Sequence, residues 1–306
     1  MENFWFAVIP DIHLGREKVN IHFWDRAPEK EAVVGIGIEE RLRKAVELIN
    51  KDREIEFVIT IGDLTDSGLP GQFETVRNIL NRLKKPYIPM IGNHDIRPYQ
   101  WDWQRRKVLW DAKKPLNVSE FEKYFASSLE VPWLTKQEDS LQNYSFAFRE
   151  TRFVVIDNVN RKHAPFGLPG TVAWAKLHKE SKKWLERELE LAEENRLIVF
   201  SHSPLKMGIL ENLLRRSPQV IEIVSIGGHR HKITERKEKG VTLVTTNALY
   251  IEPKILKVLV SEKIRFQYRS LKGGKDISSH VSSAFLFLQW KMSSLVINSL
   301  KSRGST

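Results

Sequence analysis

The sequence predicts an α/β protein built on parallel strands. Three observations carry that prediction. Short apolar runs rich in β-branched and aromatic residues, at 4–10, 57–61 and 87–91, alternate with segments whose apolar residues fall at helical spacing. Strand, helix, strand, helix, strand is the order of a parallel sheet with crossover helices. The runs stop at Asp11, at Gly62-Asp63 and at Gly92-Asn93-His94-Asp95. In an open α/β sheet the carboxyl ends of the strands face one crevice, so these distant polar residues are expected to converge.

Taken in order, residues 4–10 form a buried strand that delivers Asp11 and His13. Two positions apart on an extended chain, their side chains point to the same side. Residues 14–38, with Trp24 and Gly35-Ile36-Gly37, have no clear period and read as a loop near the site. Residues 39–52 place Leu42, Val46 and Ile49 on one helical face, and residues 72–84 do the same with Phe73, Val76, Leu80 and Leu83. Between 96 and 140 the composition shifts: Trp101, Trp103, Trp110 and Trp133 lie among Arg97, Arg105, Arg106, Lys107, Lys113 and Lys114. This stretch reads as an inserted helical lid whose aromatics pack against the body. Arg97 is its candidate substrate-binding residue.

Residues 144–148 and 152–156 read as a hairpin that opens the second half and ends at Asp157. Residues 171–195 read as one long charged helix with Trp174, Leu177, Trp184, Leu185 and Leu189 as the buried stripe. Strands at 197–200 and 221–226 then lead to His202 and to Gly227-Gly228-His229-Arg230-His231. The two glycines are expected to let the backbone turn tightly there. Arg230 should project away. Runs at 241–246, 255–260 and 264–268 are expected to finish a second sheet. Residues 272–306 are Ser-rich, with an apolar run at 284–288 soon interrupted by Lys291. That run is too short for a membrane span of about 20 residues. It reads as a terminal helix docked on the body, with an oligomer contact or membrane-surface anchor as the alternatives.

The composition sets further bounds. A chain of 306 residues without cysteine has no disulfides and is large enough to hold a core without them. A net charge of +11, from 49 Lys and Arg against 38 Asp and Glu, points to anionic partners, whether phosphate esters or nucleic acid. The first residues, Met1-Glu2-Asn3, lack the basic start of a signal peptide, so a cytoplasmic location is expected.

The chemistry lies in five blocks: Asp11-Ile12-His13, Gly62-Asp63, Gly92 to Asp95, His202, and Gly228-His229-Arg230-His231. Asp11, His13, Asp63, Asn93, His202, His229 and His231 offer carboxylate, amide oxygen and imidazole, and no thiol. Such donors suit Mn, Fe, Zn, Co or Ni. They are too many for one tetrahedral catalytic ion, which needs three protein ligands and an open position. Two divalent or trivalent ions sharing one carboxylate fit the count.

In this order and spacing, over about residues 4–270, the blocks resemble the calcineurin-like metallophosphoesterases. The resemblance implies a four-layer α/β/β/α sandwich of two mixed sheets flanked by helices, with residues 1–271 as the catalytic domain. It also implies roles. Asp11, His13 and His231 would hold one ion, and Asn93, His202 and His229 the other, with Asp63 bridging them. His94 would be the catalytic histidine, with Asp95 as its orienting partner. Many relatives carry His-His-Pro at the lone-histidine block, where this chain has His202-Ser203-Pro204. The expected reaction is hydrolysis of a phosphate ester, leaning to a diester, by a water held between the ions and attacking phosphorus in line. A phosphoester small molecule or nucleotide is the expected substrate. Asp11-Ile12-His13-Leu14-Gly15 is also similar to the opening of a group of DNA nucleases. A nuclease, a phosphomonoesterase or a nucleotide pyrophosphohydrolase is therefore the alternative enzyme, and an inactive binding scaffold the alternative outside enzymes.

Overall fold

The computed structural model describes residues 2–15, 37–96, 118–137, 141–161, 176–192 and 196–271, together with the backbone of four short strands at 18–19, 32–33, 99–102 and 107–110. The first half runs β1 (Phe4–Ile9), β2 (Lys18–Val19), β3 (Ala32–Val33), α1 (Ile38–Lys51), β4 (Ile55–Thr60), α2 (Pro70–Leu80) and β5 (Tyr87–Ile88). Next come β6 (Tyr99–Asp102), β7 (Lys107–Trp110), α3 (Ser119–Leu129) and β8 (Thr135–Lys136). The second half runs β9 (Tyr144–Phe148), β10 (Thr151–Ile156), α4 (Lys179–Glu190), β11 (Arg196–Ser201), α5 (Met207–Arg216) and β12 (Glu222–Gly227). It closes with β13 (Thr234–Glu238), β14 (Val241–Thr245), β15 (Lys254–Val260) and β16 (Arg265–Ser270).

Two mixed sheets face each other. One has the order β16-β15-β1-β4-β5 and the other β13-β14-β12-β11-β10-β9-β8. Strand alternation explains the layering. On β10 and β11, Phe153, Val155, Ile198 and Phe200 join the core shared with the first sheet, while Val154, Ile156, Leu197 and Val199 join a separate cluster under α4 and α5. Between the sheets Phe153 stands edge-on to Phe6 at 5.6 Å and to Phe57 at 5.2 Å. The apolar faces of α1 and α2, from Leu42 and Val46 to Phe73 and Val76, are buried in the same large core as the first sheet. Helices outside two packed sheets make the four-layer sandwich that the resemblance implies.

Several expectations are corrected. β15 and β16 do not extend the second sheet: β15 pairs antiparallel with β1 and completes the first. Apolar runs alone carry no information about which partner a returning strand will choose. β5 stops at Ile88, short of the expected 91, because it has only two registered partners on β4. The charged helix α4 covers Lys179–Glu190, with 176–178 and 191–192 outside it, and Trp174 lies outside the described residues. The insertion is not wholly helical. It contributes the β6–β7 hairpin, α3 packed on α2 through Phe73, Phe121 and Phe125, and β8 at an edge of the second sheet. The loop at 14–38 carries the small β2–β3 ladder. Arg97 and residues 272–306 lie outside the described residues. Among the described residues no helix is long and apolar enough to cross a membrane.

Candidate metal centre

Parallel pairing aligns the ends of β1, β4, β11, β12 and β14, so their following turns meet at one rim. Backbone hydrogen bonds then lock the turns together. The Asp63 carbonyl accepts from Ile12 and His13, Gly228 N–H donates to the His202 carbonyl, and Leu249 N–H donates to the Asp11 carbonyl. All seven expected ligand residues arrive in this one place.

Asp11, His13, Asp63 and His231 bring ligand atoms within 4.8 Å of one another, and so do Asp63, His202 and His229. Asp63 belongs to both groups. One of its oxygens, Oδ2, lies 3.4 Å from His13 Nε2 and 3.2 Å from His202 Nε2. On one side His231 Nε2 is 3.2 Å from Asp11 Oδ2 and 3.3 Å from His13 Nε2. On the other, His202 Nε2 is 3.0 Å from Asn93 Oδ1. Asp11, His13, Asp63, Asn93 and His202 are all buried.

The residues present fit a pair of metal ions. Asp11 Oδ1 is buried without a hydrogen-bond partner, a costly state for a carboxylate oxygen that a cation would relieve. Imidazole nitrogens and carboxylate oxygens converge with no thiol among them. Burial works against the charge on Asp63, yet the imidazoles of His202, His94 and His13 outweigh it and hold the carboxyl well below its usual range. His202 answers in kind: burial would lower it, but Asp63, Asp11 and the Ile61 carbonyl raise it to about 9. The centre thus keeps an ionised carboxylate in its interior, ringed by imidazoles.

Backbone geometry sets these groups. His13, Asp63, His229 and His231 have φ of 53°, 46°, 63° and 51°, in the left-handed region that L-residues rarely occupy. The expectation for Gly227-Gly228 is corrected accordingly. Neither glycine has positive φ; the histidines make the turn themselves. What Gly228 supplies is room, because a Cβ there would stand 2.1 Å from Asp11 Oδ1 and 2.8 Å from Ile61 Cγ2. Gly92 does the same beside Asp63, where a Cβ would lie 2.0 Å from the backbone nitrogen.

His94 stands at the edge of the centre, its backbone N–H donating to Asp63 Oδ1 at 2.7 Å. Asp95 is not its orienting partner. The Asp95 carboxylate is buried and accepts from the N–H groups of Leu64, Thr65 and Gly92 and from the Thr65 hydroxyl, tying the turn after β4 to the turn that carries Asn93. Burial and the charge of Asp63 push it up to about 7, against the hydrogen bonds from Thr65 and Gly92. Asp66 takes the expected place. Its carbonyl oxygen is 2.8 Å from His94 Nδ1, and its Oδ1 is 3.6 Å from that nitrogen and 3.3 Å from His13 Nδ1. The two carboxylates of Gly62-Asp63-Leu64-Thr65-Asp66 both lie against the His13 ring, Asp63 at 3.4 Å and Asp66 at 3.3 Å, and that spacing is the available signal. Tyr250 and Asn158 were missed as well. Asn158 bonds both backbone groups of Ser203 and so fixes the turn after His202. Asp157 is a buried turn anchor that accepts from Gln142 and Val159, Arg230 is exposed, and His178 packs against the Val159 carbonyl.

A model of the calcineurin-like phosphoesterase family matches residues 4–232. The chain is 25% identical over 206 residues to the glycerophosphodiester phosphodiesterase GpdQ of Enterobacter lignolyticus, covering 62% of this chain and 61% of that protein. It is 39% identical over 66 residues to a probable cyclic nucleotide phosphodiesterase of Rhodopseudomonas palustris, 21% of this chain and 24% of the relative. The chain therefore matches less than two thirds of the length of either. A purple acid phosphatase from yellow lupin (Lupinus luteus) seeds shares the fold with a TM-score of 0.55 at 15% identity, over 90% of this chain and 52% of that one. With its two facing sheets and its clustered carboxylates and imidazoles, the chain belongs to the calcineurin-like phosphoesterase family.

Proposed function

We propose that this protein hydrolyses phosphodiesters at a two-ion centre. Asp11, His13 and His231 would hold one ion and Asn93, His202 and His229 the other, with Asp63 facing both. The observation that carries this reading is Asp63 Oδ2, a single oxygen facing both ligand groups. Bound ions would supply charge to neutralise the phosphoryl oxygens and would acidify the attacking water.

The chain's own groups do the rest. Because a carbonyl only accepts, the contact with Asp66 places a proton on His94 Nδ1. Nε2 is then the atom that holds or releases the proton for the departing alkoxide. The Asp66 carboxylate lies 3.6 Å from Nδ1. Residues 1–271 form the working unit. Two relatives named as phosphodiesterases favour the diester, while the family match supports hydrolysis of phosphate esters more broadly.

The test is turnover of bis-p-nitrophenyl phosphate and p-nitrophenyl phosphate with Mn, in the wild type and in Asp63→Asn. The diester should be the better substrate, and the substitution should lower turnover more than about 100-fold, beyond the loss typical of outer-shell changes. A protein that binds two ions yet turns over neither ester is a scaffold. Preference for the monoester would reverse the substrate assignment.

A further inference from the structure

Each histidine turned toward the centre presents one nitrogen inward and must satisfy the other. His202 Nδ1 meets the Ile61 carbonyl at 3.0 Å, and His13 Nδ1 meets the Asp66 carboxylate at 3.3 Å. For His231 the partner is of another kind: its Nδ1 lies 3.1 Å from the phenol oxygen of Tyr250. The Tyr250 ring, only 5% exposed, also stands edge-on to His13 at 5.0 Å and to His231 at 5.4 Å. It therefore touches two of the three residues assigned to one ion.

The placement of Tyr250 is itself fixed from two sides. The buried guanidinium of Arg41 on α1 donates through Nη1 to the carbonyls of Leu249 at 3.1 Å and Tyr250 at 2.6 Å. From the other side Leu249 N–H is held on the Asp11 carbonyl at 2.8 Å. One loop thus joins a helix, a metal-side aspartate and a metal-side histidine.

We infer that Tyr250 is the positioning residue of the Asp11–His13–His231 ion: its phenol oxygen accepts the His231 Nδ1 proton and so turns the Nε2 lone pair inward. The inference rests on the two-ion reading and assigns this loop to one of the two ions. A ligating imidazole needs its remote N–H bonded to fix tautomer and ring orientation. The Ile61 carbonyl does this for His202, and the Tyr250 phenol does it for His231. The two ions are accordingly supported by different chemistry.

The test is a Co²⁺ titration of the metal-free protein, followed by its visible absorption, with melting of the metal-free form as a control. Wild type should bind two ions. Tyr250→Phe keeps the ring and should melt as wild type does, yet bind one of the two ions about 10- to 100-fold more weakly and leave the other unchanged. Equal weakening of both ions, or none, overturns the inference. A wild type that binds no cobalt overturns the two-ion reading and the inference with it. A second measurement needs no variant: nitrogen NMR of the zinc-loaded wild type should show the His231 ring proton on Nδ1, and a proton on Nε2 overturns the proposal.

Discussion

At the scale of single residues, the centre is held by strain. His13, Asp63, His229 and His231 occupy left-handed backbone, which costs about 1–3 kcal/mol for each and survives only where surrounding contacts over-determine it. The room for those contacts is narrow. In Gly228→Ala the added methyl would meet the Asp11 carboxylate and the Ile61 side chain, neither of which has space to retreat. We expect a loss of about 1–3 kcal/mol by overpacking. A fall in bound metal should accompany it, measured by urea unfolding and by elemental analysis of the purified protein. Normal metal content with unchanged unfolding would remove this account of the glycine. The convergence of these residues was legible in the sequence because each block follows its own apolar run, and a strand end is where side chains from distant segments meet. Asp95 adjoins His94 in the chain, but its carboxylate turns to Leu64, Thr65 and Gly92, a direction that adjacency does not reveal. Asp66 and Tyr250 both act through space on histidines of other turns; its spacing from Asp63 marks Asp66, whereas nothing in the immediate neighbourhood of Tyr250 announces its contact.

At the scale of elements, local pattern located strands well and their partners poorly. Residues 144–148 were placed to the residue, and the β9–β10 hairpin follows from two apolar runs joined by a short turn. β15 has as clear a pattern, but its partner is β1, some 250 positions earlier. Its fit there is close. Ile255, Leu256, Val258 and Val260 are each at most 1% exposed. Lys257 reaches Asp52 at 2.7 Å and Glu54 at 2.8 Å while lying over the Trp5 ring. Burying four such aliphatic side chains is worth about 6–12 kcal/mol at about 1.5–3 each. That is comparable with the whole stability of a typical domain. A chain ended after Leu271 should therefore melt cooperatively and bind metal, whereas a chain ended after Pro253 should do neither, as circular dichroism and metal content would show. Cooperative melting of the shorter chain would mean that β1 does not need this partner.

At the scale of the whole molecule, stability against pH joins the buried groups into one measurable curve. Tyr144 is fully buried at the start of β9 and donates its hydroxyl to Gln142. Burial, aided by the charges of Asp157 and Glu122, raises its phenol well above the ordinary value of 10.0. The unfolded chain releases that proton near pH 10 while the folded chain keeps it. This contribution is therefore complete below about pH 10 and is lost as pH rises beyond it, at about 1.4 kcal/mol per pH unit for one proton. Tyr144→Phe should be the weaker protein at pH 8 by about 1 kcal/mol, the worth of one hydrogen bond. It lacks the ionising group, so its stability should fall less steeply between pH 10 and 11, and the gap should close or reverse. Lysines and the other tyrosines are common to both proteins and cancel in the comparison. Urea midpoints measured from pH 8 to 11 decide it: parallel curves would mean that the phenol ionises as easily inside the fold as outside, and that the core around β9 admits charge.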